Sequence, residues 1–303
     1  DWASDYGIEK GDRLFLSSSG DGAITFSSSD TIRFREVVID SSEFSPTALE
    51  RAVVGSYALG RNEIIVKSDE ALTDEQTEAL YRAERQLIGA GIIKESAEKI
   101  VVRCSIKHDE FSVTNLLERL NSTTELMRNE AIESLVREDA NTARRAMGRE
   151  KQANKIFVLI LRLVLSAQQN PVLVQQIGLE NFLHNIGTRA AAKSLERCAD
   201  HAEDIAHEAE SLLDEGWTAD DEINDEVMEL LEVTDELSHK ALESFNEGDM
   251  EKATEIREAM GDVEAMHDEI MNEVFKRDDD PAVMMSFKKV VSSLVQSCEE
   301  VIQ

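Results

Sequence analysis

In Leu195-Glu-Arg-Cys-Ala-Asp200-His-Ala-Glu-Asp204-Ile-Ala206, three acids fall four residues apart: Glu196, Asp200 and Asp204. Residues four apart stack on one face of a helix, so these carboxylates form a stripe. Like charges at that spacing repel unless a cation or a basic partner neutralises them. Rows of hard oxygen donors suit Mg²⁺, Ca²⁺, Mn²⁺ or iron. The competing reading is a solvated acidic face, since 62 of 303 residues are Asp or Glu. Glu203 and His207 flank the stripe.

Other residue pairs invite chemistry less strongly. Glu236-x-x-His239 and Glu264-x-x-His267 have the i, i+3 spacing of di-iron helical bundles. Solvated faces that happen to carry histidine explain them as well. Cys198 lies inside the acidic stripe, which would raise its thiol pKa, and it reads as a small packing residue. The chain has no GxSxG, P-loop, HExxH or Gly-rich phosphate loop. Hydrolase and NTPase readings therefore have neither nucleophile nor phosphate cradle.

The elements that carry these residues must come from a chain long enough for two or three domains. Apolar residues make up 42%, enough for packed cores and too many for a disordered chain. Aromatics at 5% and only three prolines disfavour β-sandwiches and base-stacking platforms. The net charge of −30 repels nucleic-acid phosphate. Acid in excess with little lysine resembles protein surfaces from a salt-saturated cytoplasm. Three scattered cysteines without a CxxC point to a reducing cytoplasm and no disulfide framework. The longest apolar run, Ile156–Ala167, holds Arg162 and is too short to span a membrane, so it reads as a buried bundle helix without membrane insertion. The chain starts in mid-motif, as if it were part of something longer.

Charge and glycine both place a boundary near residue 108. Residues 1–108 carry 19 acids and 13 bases, whereas residues 109–303 carry 43 and 19. Eight of the 14 glycines precede residue 92. Before the boundary, Arg13–Leu16 and Ala23–Phe26 flank Gly20-Asp21-Gly22, a hairpin signal. Thr31–Asp40 alternates like a strand, Pro46–Leu59 has a helical pattern, and Asn62–Lys67 is a strand again. Thr73 with Gln76 forms a capping box that opens a helix over Asp74–Ile88. Ile92–Lys94 and Lys99–Arg103 read as a last strand pair. Residues 31–108 thus predict a small β-α-β-α-β-β domain after a hairpin in residues 1–30.

Beyond residue 108 apolar residues recur at helical spacing, with breaks at Pro171, Gly216, Gly248 and Pro281. Ala146-Met-Gly148 returns as Ala259-Met-Gly261, and Pro171 returns as Pro281 at a similar offset. The offsets suggest a duplicated unit of three long helices, with repeats over about 109–215 and 216–303. The expected fold class is therefore α+β multidomain and mostly α. Two tandem antiparallel three-helix bundles follow the hairpin and the small α/β domain.

The stripe segment Leu195–Ala206 resembles the LERxADHxxxIA helix of the PhoU family of phosphate-uptake regulators. Gly148-Arg-Glu-Lys-Gln-Ala-Asn154-Lys-Ile-Phe-Val-Leu-Ile-Leu-Arg162 resembles that family's second-helix pattern. With the duplication, the resemblance covers roughly residues 109–303. It implies a divalent metal (Mg, Mn, Fe or Zn) held by facing acidic stripes, here Glu196, Asp200 and Asp204. The second repeat departs from the pattern, because Ser292 and Gln296 stand where acids would be. Only weak, exchangeable binding is then expected.

The segment Trp2-Ala-Ser-Asp-Tyr-Gly7-Ile8-Glu-Lys-Gly11-Asp12-Arg-Leu14, followed by Asp21-Gly22, resembles the AbrB/SpoVT swapped-hairpin family. In it Ile8 and Leu14 would fill the core and Gly11-Asp12 would turn before the strand. Together the resemblances imply a cytoplasmic, archaeal-type, non-enzymatic regulator of phosphate uptake and phosphate-responsive signalling. Its partners would be a phosphate ABC transporter ATPase subunit or a phosphate-signalling protein. The amino end implies a homodimer, and DNA contact as a further role, although local charge shows no basic footprint. Two alternatives stand: a di-iron carboxylate oxidoreductase using the E-x-x-H pairs, or a dedicated transcription factor with the bundle as sensor.

Overall fold

The computed structural model describes residues 3, 8–12, 14–18, 24–28, 35–170, 172–277 and 279–302. The chain divides into two compact units, one of residues 1–113 and 161–186, the other of 114–160 and 187–303.

The first unit opens on an antiparallel pair, β1 (Leu14–Ser18) and β2 (Ile24–Ser28), with Leu16 opposite Phe26. This is the expected hairpin, and its Gly20–Gly22 connection lies outside the described residues. A turn precedes β1, where the Glu9 N–H donates to Asp12 Oδ2 at 2.7 Å and Gly11 takes a φ of +111°.

The β-α-β-α-β-β succession follows. Its elements are β3 (Glu36–Asp40), α1 (Pro46–Ala58), β4 (Glu63–Lys67), α2 (Asp74–Arg85), β5 (Ala90–Ser96) and β6 (Lys99–Cys104). Sheet order is β3-β4-β6-β5; β3 and β4 run parallel across the α1 crossover, and the other pairs are antiparallel. The central strands β4 and β6 are buried on both faces, with Ile64, Ile65 and Val66 of β4 and Ile100, Val101 and Val102 of β6 all in the core. The facing stripes of the two helices bury Leu49, Val53 and Tyr57 on α1, and Ala79, Leu80 and Ala83 on α2.

Local chemistry sets the helix starts. Ser45 Oγ accepts from the Ala48 N–H ahead of Pro46 at the first helical position. Thr73 and Gln76 exchange both capping-box bonds at 3.1 Å. The α2 helix ends at Arg85, three residues earlier than its pattern predicts, since Gly89 must turn with a φ of +70° into β5.

Within the same unit Arg162 is buried and its Nη1 donates to the carbonyls of Tyr57 at 2.7 Å and Arg61 at 2.9 Å. Its guanidinium lies 4.7 Å from the Tyr57 ring centroid. A cation there adds charge-assisted donors at the carboxyl end of α1, where the Gly60 N–H already donates to the Tyr57 carbonyl at 2.9 Å.

Residues 113–302 are helical: α3 (Val113–Val136), α4 (Ala140–Gln169), α5 (Val172–Gln176), α6 (Phe182–Asp214), α7 (Asp221–Glu247), α8 (Met250–Glu258), α9 (Met260–Val274) and α10 (Pro281–Ile302). Three of the expected breaks fall where the pattern puts them. Gly216 and Gly248 adopt φ of +74° and +67°, and Pro281 opens α10. Pro171 lies outside the described residues. Breaks without a counterpart in the pattern fall between α3 and α4 at 137–139, between α5 and α6 at 177–181, and at Ala259, which ends α8 and starts α9 with no side-chain cap. The Ala-Met-Gly word therefore sits inside the unbroken α4 once and at a helix junction the second time.

In the second unit one apolar cluster gathers residues from both halves of the helical region. Ile132, Ile205 and Leu212 belong to it, as do Leu230, Val263, Val291 and Leu294. A polar knot crosses this core, with Arg128 on α3 bound to Asp235 on α7 and to Ser297 on α10.

Candidate functional site

The acidic stripe lies on α6 in the second unit. Leu195, Ala199, Ala202 and Ala206 point into the core, which leaves Glu196, Asp200 and Asp204 along the other face. Glu196 is half-buried and ion-paired with Lys193 one turn earlier. Asp200 and Asp204 keep exposed edges.

The electrostatics single out Asp200. Partial desolvation, then the neighbouring Glu196, and more weakly Glu203 and Asp204, push its acid up to about 6 against the pull of Lys193. Glu150 on α4 is raised as well, by desolvation and then by Glu203 and Asp200. The Asn154 side-chain amide donates to Glu150, which opposes that rise. Carboxylates from two helices therefore face one another, with Glu150 as the member that stripe spacing alone does not reveal. The only sequence signal for it was its place four residues before Asn154 in the second-helix pattern.

Such a cluster can hold a proton near neutral pH or accept a cation. Among the described residues no three His, Cys, Asp or Glu side chains converge as a metal-ligand set. As placed, the stripe is a repelling cluster and not a ready coordination site.

The positions that the expected duplication would set opposite the stripe carry neutral chemistry. His267 Nε2 lies 3.2 Å from Ser292 Oγ, and Gln296 is exposed. Glu300, the acid that does remain, is ion-paired with Arg197 at 2.7 Å.

The E-x-x-H pairs are not brought together. Glu236 is engaged by Lys240, His239 by Glu125 at 2.8 Å, and His267 by Asp268 and Ser292. Cys198 is fully buried and its thiol donates to the Ser297 carbonyl at 3.2 Å. Its pKa rises to about 11, chiefly through burial and not, as its sequence neighbours suggested, through the acidic stripe.

Comparisons with known proteins bear on this part of the chain. Residues 117–209, which include Glu150 and the whole stripe, match the family model described as PhoU domain. The fold is similar to the crystal structure of PhoU from Pseudomonas aeruginosa, with a TM-score of 0.52 and 18% identity over 62% of this chain and 90% of that one. It is also similar to the phosphate transport system regulatory protein PhoU from Streptococcus pneumoniae, with a TM-score of 0.53 and 15% identity over 63% and 88% of the respective chains. No curated protein matches the chain by sequence. At these identities the structural likeness speaks for the fold.

Proposed function

We propose that the chain is a regulator of phosphate uptake that acts by binding other proteins and not by catalysis. The observation that carries this reading is the PhoU domain match over residues 117–209, on a helical fold similar to two PhoU crystal structures. The partner would be the ATPase subunit of a phosphate ABC transporter or a phosphate-signalling protein. No described helix is long and apolar enough to cross a membrane, so contact with a transporter would be made from outside the bilayer.

In this reading the stripe is a weak, exchangeable divalent-cation site on Glu196, Asp200 and Asp204, with Glu150 joining from α4. Desolvation is the first cause of the raised acids of Asp200 and Glu150, and repulsion between carboxylates adds to it; the repulsive part supports the reading, because a cation would relieve it. Homodimerisation through residues 1–30 belongs to the same proposal, because a two-stranded sheet has open edges that pairing would close. Light scattering at high salt should then give twice the chain mass, and a monomer at micromolar concentration overturns the dimer.

The function is tested by deleting the chain and measuring phosphate uptake in phosphate-replete cells. Uptake should rise when the regulator is lost. Uptake that stays at the wild-type level sinks the proposal.

A further inference from the structure

The outer face of α6 changes sign halfway along the helix. Arg189, Lys193 and Arg197 stand four residues apart, and after a step of three come Asp200, Asp204 and Glu208 at the same spacing. Steps of three and four keep all six on one side of a helix. The first five are exposed and Glu208 is half-buried, while Ala192, Leu195, Ala199 and Ala206 on the other side are in the core.

Two features say what this face meets. The first is charge that the chain leaves open. Arg189, Asp200 and Asp204 form no ion pair among the described residues. Lys193 is held by Glu196 and Arg197 by Glu300, yet both cationic side chains remain 52% exposed. Glu208 is paired with Lys289. Exposed pairs of this kind are worth little, so exchanging their partners costs little.

The second feature is symmetry. The signs reverse about a point between Cys198 and Ala199. An α6 from a second copy, laid antiparallel across that point, sets Arg197 opposite Asp200, Lys193 opposite Asp204 and Arg189 opposite Glu208. The same three pairs recur on the other side of the two-fold axis. A two-fold contact uses one patch twice and must be complementary to itself, as this pattern is. A parallel contact in register would set like charge on like charge.

We propose that a second copy of this chain docks on α6 by this antiparallel two-fold contact. Its Arg189, Lys193 and Arg197 supply the cations that the acidic stripe lacks within its own chain. A guanidinium or ammonium then does for Asp200 and Asp204 what a metal does in the cation-site reading. The contact does not rest on the phosphate reading, and its surface is separate from residues 1–30.

The test is crosslinking by a carbodiimide, which joins an amine to a touching carboxylate without a spacer. Lys193 and Asp204 of one chain are eleven residues apart on one helix, about 16 Å, so an amide between them can only join two copies. Full chains labelled with light and heavy nitrogen are mixed equally, at micromolar concentration in about 0.5 M KCl with chelator, where diffuse attraction is screened. A mixed-isotope Lys193–Asp204 peptide is expected in the mass spectrum. Arg189→Glu, at a side chain without an ion pair in its own chain, should lower its yield at least fivefold and leave the Lys193–Glu196 crosslink unchanged. The swap Arg189→Glu with Glu208→Arg should restore it. A mixed-isotope crosslink that is absent, or that Arg189→Glu leaves at wild-type yield, overturns the proposal. Dimerisation through residues 1–30 alone gives twice the chain mass without this crosslink, so the two contacts fail separately.

Discussion

Arg128 on α3 and Asp235 on α7 form a buried ion pair in which Nε and Nη2 both donate to Asp235 Oδ1, at 3.0 and 2.6 Å. The guanidinium side chain has no exposed surface and the carboxylate only 13%. Asn129 donates to the other carboxylate oxygen at 2.6 Å, and Ser297 Oγ accepts from Arg128 Nη1 at 3.1 Å. Three helices are thus tied at one point by groups that cannot find substitutes in an apolar core.

Breaking that pair should be costly and replacing it cheap. Asp235→Ala strands a buried cation and should destabilise the second unit by about 3–5 kcal/mol in urea unfolding. The double change Arg128→Met with Asp235→Leu should recover most of that loss. If both proteins unfold at the same urea concentration, the pair is not the strong element described here.

Asp200 makes a signed prediction about pH. Its folded-state acid, at about 6, stands above the ordinary aspartate value of 3.8, so the folded chain binds the extra proton. The contribution to stability is full below about pH 4 and fades as pH rises through 6. Asp200→Asn should flatten that slope and, in chelator at pH 7, stabilise by a few tenths of a kcal/mol. A melting series from pH 4 to 8 that shows the same slope in both proteins contradicts the assignment.

In millimolar Mn²⁺ the sign should invert. A bound ion stabilises only the folded state, so the wild type gains and Asp200→Asn does not. Equal melting temperatures for both proteins in both buffers would return the stripe to a solvated acidic face.

Ionic strength should matter to the whole chain. With a net charge of −30, repulsion reaches about 30 Å at 0.01 M salt and about 3 Å at 1 M. Loosening of the helices below a few tenths molar KCl is expected in circular dichroism. A spectrum that does not change between molar and millimolar KCl would count against it.

Gly60 offers a local test in the first unit. Its φ is +80°, and a Cβ built there would lie 2.7 Å from Ser166 Oγ. Gly60→Ala should therefore cost about 1–3 kcal/mol, more than the usual surface substitution. Unchanged stability would show that the turn can relax without strain.

These residues also show how far the sequence could be read. Strands β3 to β6, the capping box at Thr73 and the helix ends at Gly216 and Gly248 were legible because each is written in neighbouring residues. So was the stripe, whose four-residue spacing is a property of one helix. Glu150 as its neighbour was not, because the encounter of α4 with α6 depends on packing between segments about fifty residues apart. The Arg128–Asp235 pair has the same cause, with a separation of 107 residues. Arg162 was visible as a polar interruption in an apolar run and as the end of the second-helix pattern; the carbonyls to which it donates lie in another part of the chain. The junction at Ala259 escaped for a different reason, since the same three-residue word is compatible with a continuous helix in α4.

The arginine that closes α1 arrives late in synthesis. Arg61 and Arg162 are separated by 101 residues, so the carbonyl end of that helix leaves the ribosome well before its partner exists. At about 5–20 residues per second the interval is roughly 5–20 s. During that time the nascent sheet must hold its first helix without the cation that later covers its end. Any nascent-chain chaperone would therefore meet this unit open at the Tyr57–Arg61 turn, and translation speed between residues 61 and 162 becomes a variable in how much of the chain folds.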